Sequence, residues 1–256
     1  MPFLMRWSLL YFFCFIGLIA CNKSTDRKFR LVKIYANGFG FPTIFEYDEK
    51  GLLSNRYVDF TGVTDAGGGT SFIYEDGQLS EIMNSHVSIA GFWRTVEKIT
   101  YFEDGRLKSM TEEVVDGRPE TMLRHEFRYK DSDPYFDSCI VFITRLGVEN
   151  PYQLYTFSRD GEGSILTQSS FSPDQTNWVA SHTDEYIYGS IVNPEYKLGS
   201  PVMFRNYYSK NLATKVTRYN FDGTVLSQKN YKIIKISPML ICVKGENGED
   251  MYYDLK

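Results

Sequence analysis

The chain has 256 residues and a formal net charge of −4, so it carries no basic footprint for nucleic acid. Tyrosine (19), phenylalanine (19) and tryptophan (3) far outnumber alanine, which occurs six times. Alanine is the best helix former and aromatics favour pleated, half-buried surfaces, so this balance excludes a predominantly helical protein. Apolar residues make up 43%, a globular value that excludes a bundle of membrane-spanning helices.

The first element in chain order is an address. Arg6 precedes a fourteen-residue run without charge, Trp7 to Ala20. That run is short for a membrane span, which needs about 20 apolar residues, and suits the apolar region of a secretory signal. It ends at Leu18-Ile19-Ala20-Cys21, and polar Asn22-Lys23-Ser24-Thr25-Asp26 follows at once. These residues resemble the lipobox of bacterial lipoproteins. The resemblance implies cleavage before Cys21, acylation of Cys21 and sorting, with asparagine next, to the outer membrane of the cell envelope. Acyl chains contribute about 0.8 kcal/mol per buried methylene, so two or more hold a protein stably without a spanning helix. The alternatives are an ordinary cleaved signal and an uncleaved anchor. The expected division is a signal peptide at 1–20, a lipidated tether at 21–30 and one domain at 31–256.

The body carries repeated turn signals. They read Tyr47-Asp48-Glu49-Lys50-Gly51-Leu52-Leu53, Tyr74-Glu75-Asp76-Gly77-Gln78-Leu79 and Tyr101-Phe102-Glu103-Asp104-Gly105-Arg106-Leu107. A weaker copy ends at Asp160-Gly161, a late one at Asp222-Gly223, and a final turn stands at Asn247-Gly248. The first steps between turn glycines are 26 and 28 residues, and degenerate copies fall at Tyr129–Asp133 and Tyr186–Gly189. A fixed period of this length marks a repeat architecture. Each copy suits a hairpin whose glycine takes the left-handed conformation at the end of a three-residue loop. Tyr101 is then expected opposite Leu107, Tyr47 opposite Leu53, Tyr219 opposite Val225, and Ile73 opposite Leu79. Each such cross-strand pair contributes roughly 0.2–1 kcal/mol. Two strands per period give about sixteen antiparallel strands in an all-β hairpin-repeat sheet, curled or open, with no substantial helix. Asp65-Ala66-Gly67-Gly68-Gly69 reads as a flexible connection, and Asp116-Gly117 as another turn.

The words YDEKGLL, YEDGQL, YFEDGRL and YNFDGTV resemble the tyrosine–aspartate (YD, or RHS-type) repeats of bacterial secreted and surface proteins. They are also similar to repeat lipoproteins of the Bacteroidota envelope. The likeness covers residues 40–256. No toxin or autoprotease segment accompanies it, so no such activity is implied.

The search for chemistry yields no catalytic residue, no metal site and no cofactor. His86, His125 and His182 share no ligand spacing, and Cys139 and Cys242 lack a CxxC partner. Those two cysteines sit in apolar strand-like runs, either as buried small hydrophobes or as a disulfide that export would permit. Gly67-Gly68-Gly69 lacks the lysine of a phosphate-cradling loop. Asp131, Asp133 and Asp137 cluster, but Phe136 stands where a calcium loop needs glycine, so a solvated turn is expected. Glu112, Glu113 and Glu185 leave a paired-carboxylate hydrolase open. The remaining clue is aromatic. Trp93, Trp178, Tyr207, Tyr208, Tyr252 and Tyr253 could stack on sugars, anchor a protein partner, or simply fill a thin core. The expected role is a non-catalytic scaffold or binding module, lipid-anchored in the envelope, for a protein or polysaccharide partner. The alternative is an envelope glycan hydrolase.

Overall fold

The computed structural model describes residues 30–36, 39–59, 67–88, 91–116, 122–174, 177–198, 200–246 and 250–255. Cys21, Gly117 and Gly248 lie outside the described residues. Sixteen strands follow one another along the chain. The first eight are β1 (Leu31–Ala36), β2 (Phe39–Tyr47), β3 (Leu53–Val58), β4 (Gly67–Glu75), β5 (Gln78–Ser88), β6 (Gly91–Tyr101), β7 (Leu107–Asp116) and β8 (Met122–Tyr129). They continue as β9 (Phe136–Arg145), β10 (Val148–Arg159), β11 (Ile165–Asp174), β12 (Asn177–Val192), β13 (Asn211–Asn220), β14 (Val225–Ser237), β15 (Leu240–Gly245) and β16 (Asp250–Leu255). A five-residue helix, α1 (Phe204–Tyr208), lies between β12 and β13.

Every strand pairs antiparallel with its sequence neighbours, and β1 pairs with β16, with Leu31 opposite Leu255. The expected all-β hairpin array is present, but it is a closed barrel rather than an open or curled sheet. Closure pairs the two edges that an open sheet would leave as templates for aggregation.

The basal end of the barrel holds the connections β2–β3, β4–β5, β6–β7, β8–β9, β10–β11, β12–β13 and β14–β15. Two of the expected tyrosine–aliphatic pairs sit just above these turns, while Tyr219 faces Val225 beside the β13–β14 connection at the opposite end. Tyr47 faces Leu53 and Tyr101 faces Leu107, while the Gly51 and Gly105 backbones are left-handed. Repeat two differs. Asp76 and Gly77 both have positive φ and close a two-residue loop, so Tyr74, not Ile73, faces Leu79. The aromatic–aliphatic pair is thereby kept on the inner face. Repeat four differs as well. The left-handed residue is Gly163 rather than Gly161, because the loop closes with Gly163 N donating to Asp160 O. Gly189 is no turn, because β12 runs on to Val192. Gly67–Gly69 is no loop either. It opens β4, where Gly69 sits between Tyr57 and Ser85.

The inner face at the basal end is apolar. Leu31, Leu53, Leu79, Leu107, Phe127, Phe136, Ile165 and Leu255 are all buried there. Cys139 is buried on this inner face, and Cys242 is buried on β15; both are free thiols. A sixteen-strand barrel is too wide for its wall side chains alone to fill. The segment from Asn193 to Lys210 crosses the space instead. Its Phe204 packs 4.8 Å from Phe157 and 6.0 Å from Phe136, and its Ser200 reaches Glu97 on β6 at 2.9 Å.

The outer wall carries charged and hydroxyl pairs along its height, beside exposed Ile73, Leu166 and Ile187. Lys98 pairs with Glu113 at 2.8 Å, and Arg124 pairs with Glu149 at 2.8 Å and Glu126 at 3.1 Å. Hydroxyls pair across strands at Thr100–Ser109, Ser158–Thr167 and Ser169–Thr183. A membrane-spanning barrel needs an apolar outer band about 25 Å tall, and a lipid-facing Arg or Lys at mid-depth costs about 2–4 kcal/mol. The charged pairs on this wall depart from such a band.

Candidate binding surfaces in the lumen and at the upper rim

The lumen-crossing segment is fixed by one buried asparagine. Asn193 donates through Nδ2 to the carbonyls of Asn206 and Ser209, and its Oδ1 accepts from Glu195 N. Asparagine followed by Pro194 favours this side-chain-closed turn. The arms of the segment are thereby clamped together, and α1 is held against the apolar floor.

Above the floor the inner wall is polar. The Arg56 Nη2 donates to Thr70 Oγ1, Thr70 to Asn84 Oδ1, and Asn84 Nδ2 to Glu97 Oε1. Ser200 caps the other Glu97 oxygen. Burial pushes the Glu97 carboxyl above the usual carboxylate range, against the lowering effect of those two hydrogen bonds. Glu112 stands directly opposite Glu97. Two facing carboxylates are what a glycan hydrolase would need, but both Glu97 oxygens are already engaged within the wall. Across the lumen, Asp184 takes a two-pronged contact from Arg218, Nε at 2.7 Å and Nη2 at 2.8 Å. Burial lowers the pKa of His125, on β8, to about 4. Among the described residues, no group of three His, Cys, Asp or Glu side chains is placed to hold a metal.

Two cavities flank α1. One is lined by Glu195, Arg205, Asn206, Tyr231, Val243 and Met251 among others. The second, more open, lies between α1 and the wall at Tyr155 and Gln168. Arg205 lines both.

The aromatics singled out in the sequence part company. Tyr207 and Tyr208 belong to α1, and Tyr208 packs its ring 4.9 Å from Phe136, so both serve the interior. Tyr253 is buried, 2% exposed, on the inner face. Tyr252 lies beside Cys242, which it pairs with across the β15–β16 ladder. Trp178 is half-buried at the start of β12, while Trp93 is exposed near the upper end of β6.

Trp93 has company that no local pattern announced. The upper end of the barrel, opposite the lumen floor, exposes Phe92, Leu146, Val148, Tyr152, Val179, Phe221, Val225 and Leu226. Leu146 is 99% exposed and Phe221 71%. They come from four different strand connections, so only the closed ring brings them to one rim.

No protein-family model and no curated protein matches the chain. Among solved structures it is similar to a porin-like protein from Bacteroides uniformis. That match has a TM-score of 0.48 and 13% identity, and covers 88% of this chain and 96% of that one. It is also similar to a porin-like protein from Bacteroides vulgatus, with a TM-score of 0.37, 12% identity, and coverage of 89% and 98%.

Proposed function

We propose that this protein is a lipid-anchored binding module of the bacterial cell envelope, which docks a protein partner on the upper rim of its barrel. The observation that carries the reading is the rim itself. Exposed apolar side chains gathered at one end of a barrel are the usual mark of an interaction surface. A protein partner fits better than a polysaccharide. Leu146, Val148, Val179, Val225 and Leu226 are aliphatic, whereas sugar recognition relies on flat aromatic faces and hydrogen bonds.

The chain enters the barrel at Leu31, at the basal end. A tether of residues 21–30, lipidated at Cys21, then joins the chain at that end. The charged pairs on the outer wall agree with anchoring by lipid instead of insertion.

The test has two arms. Cys21→Ala is expected to move the protein from the membrane to the soluble fraction; retention in the membrane overturns the anchor. A photo-crosslinking amino acid at Leu146 is expected to trap a discrete protein in intact cells, and the same probe at Ile187, on the outer wall, to trap none. Equal products at both positions, or none at Leu146, overturn rim docking.

A further inference from the structure

Two opposite charges share the first cavity beside α1 without pairing. Arg205 and Glu195 both line it, and among the described residues neither forms an ion pair. The reason they stay apart is Asn206. Its Oδ1 accepts from Arg205 Nε at 3.1 Å, and its Nδ2 donates to Glu195 Oε2 at 3.3 Å. One carboxamide is therefore wedged between the guanidinium and the carboxylate. The Tyr253 hydroxyl adds a contact to the same Glu195 oxygen at 3.4 Å. Among the described residues no hydrogen bond engages the two terminal nitrogens of Arg205, whose guanidinium lies 5.8 Å from the centre of the Tyr186 ring, or the second oxygen of Glu195.

An arrangement of this kind is costly when empty. A largely buried carboxylate with a partial set of partners pays a desolvation penalty, and burial lifts the Glu195 carboxyl above its usual range despite nearby Arg205. A simple anion on Arg205 would sit beside Glu195 and be repelled. A simple cation on Glu195 would meet Arg205 in the same way. A ligand that carries both charges satisfies both groups and brings no net charge into the cavity.

We propose that this cavity is a binding site for an α-amino acid zwitterion, its carboxylate on Arg205 and its ammonium on Glu195. The span agrees. The Asn206 amide bridges the two side chains through an oxygen and a nitrogen on one carbon. An amino acid presents an oxygen and a nitrogen one carbon further apart, and the fork of Arg205 suits a planar carboxylate. Leu212, Ala213, Val243 and Met251 form an aliphatic part of an otherwise polar and tyrosine-rich lining, and that part suits an aliphatic amino acid side chain. The site lies inside the barrel and does not depend on what docks at the rim.

Calorimetry on the full chain tests this with three probes. These are L-leucine, 4-methylpentanoate (the same skeleton without the amine) and 3-methylbutylamine (without the carboxylate). Leucine is expected to bind at least about ten-fold more tightly than either analogue. No binding by leucine, or equal binding by either analogue, overturns the proposal. Glu195→Gln keeps an acceptor for Asn206. It is expected to weaken leucine by about ten-fold or more without weakening 4-methylpentanoate. Unchanged leucine affinity in that variant overturns the role of Glu195. If the variant does not fold, the three-probe comparison on the unaltered chain decides. A negative result here leaves the crosslink at Leu146 unaffected, so the two readings fail separately.

Discussion

The Tyr101 hydroxyl on β6 donates to the backbone carbonyl of Leu79 on β5 at 2.8 Å. The link recurs around the base. Tyr47 reaches Leu31 at 2.7 Å, Tyr129 reaches Leu107 at 2.9 Å, and Tyr188 reaches Ile165 at 2.6 Å. Each tyrosine thus does two things. Its ring pairs inside its own hairpin or packs on the core, and its hydroxyl ties that hairpin to the preceding strand. Tyr101→Phe keeps the ring and removes the tie. It is expected to cost about 1–1.5 kcal/mol, read as a lower urea midpoint at unchanged slope.

Arg159 takes the tyrosine position in the fourth copy. Its Nε donates to Phe136 O at 3.3 Å and its Nη1 to Gly163 O at 2.8 Å. Its guanidinium lies 4.6 Å from the centre of the Phe136 ring and 5.2 Å from that of Tyr208. A lysine cannot reproduce a planar fork that bonds two carbonyls while facing rings. Arg159→Lys is therefore expected to lose about 2 kcal/mol in chemical denaturation, although charge is conserved.

The turn of the same copy separates two glycines. At Gly163 φ is +87° and an added methyl would land in the Tyr135 ring, whereas at Gly161 nothing lies within reach. Gly163→Ala is expected to destabilise by about 2–4 kcal/mol, and Gly161→Ala by less than about 0.5 kcal/mol. Thermal melts of the two variants side by side check this.

His125 gives a pH signature. Burial lowers its pKa from 6.5 to about 4, so the fold favours the neutral ring. That contribution is complete above the unfolded value of 6.5 and is lost as pH falls toward 4. The loss is at most roughly 3 kcal/mol. Against the unaltered chain, His125→Leu is expected to remove this part of the acid destabilisation, as measured by denaturation at a series of pH values.

Glu97 has the opposite sign. Its carboxyl is raised, so the fold favours the protonated acid, and that favour is lost as pH rises through the shifted value. Glu97→Gln keeps partners for Asn84 and Ser200 without the charge. It is expected to melt higher than the unaltered chain at about pH 8, with the difference vanishing at about pH 4.

Much of the architecture was legible along the chain because a hairpin is a local object. Tyr101 and Leu107 meet across one short turn, so a glycine, an acidic residue and an alternating pattern suffice to place them. The same local logic gave about sixteen strands and a sheet without substantial helix. It erred where two loop lengths meet the same need, as at Asp76-Gly77, and where a glycine serves close approach instead of a turn, as at Gly69 and Gly189. The candidate sites were scarcely legible. Of the aromatics singled out, Trp93 and Trp178 lie toward the rim, and nothing pointed to Arg205 or Glu195, since they sit in a segment that leaves the repeat.

Residue order, then, determined the repeated reversals and the aromatic–aliphatic pairs on one strand face, because those contacts join near neighbours. Tertiary structure decided that the sheet closes, with Leu31 against Leu255 at opposite ends of the chain. Ring closure depends on twist and stagger accumulated over every strand, which no local segment encodes. It also decided what fills the ring, because Asn193–Lys210 finds its partners on strands far away in sequence.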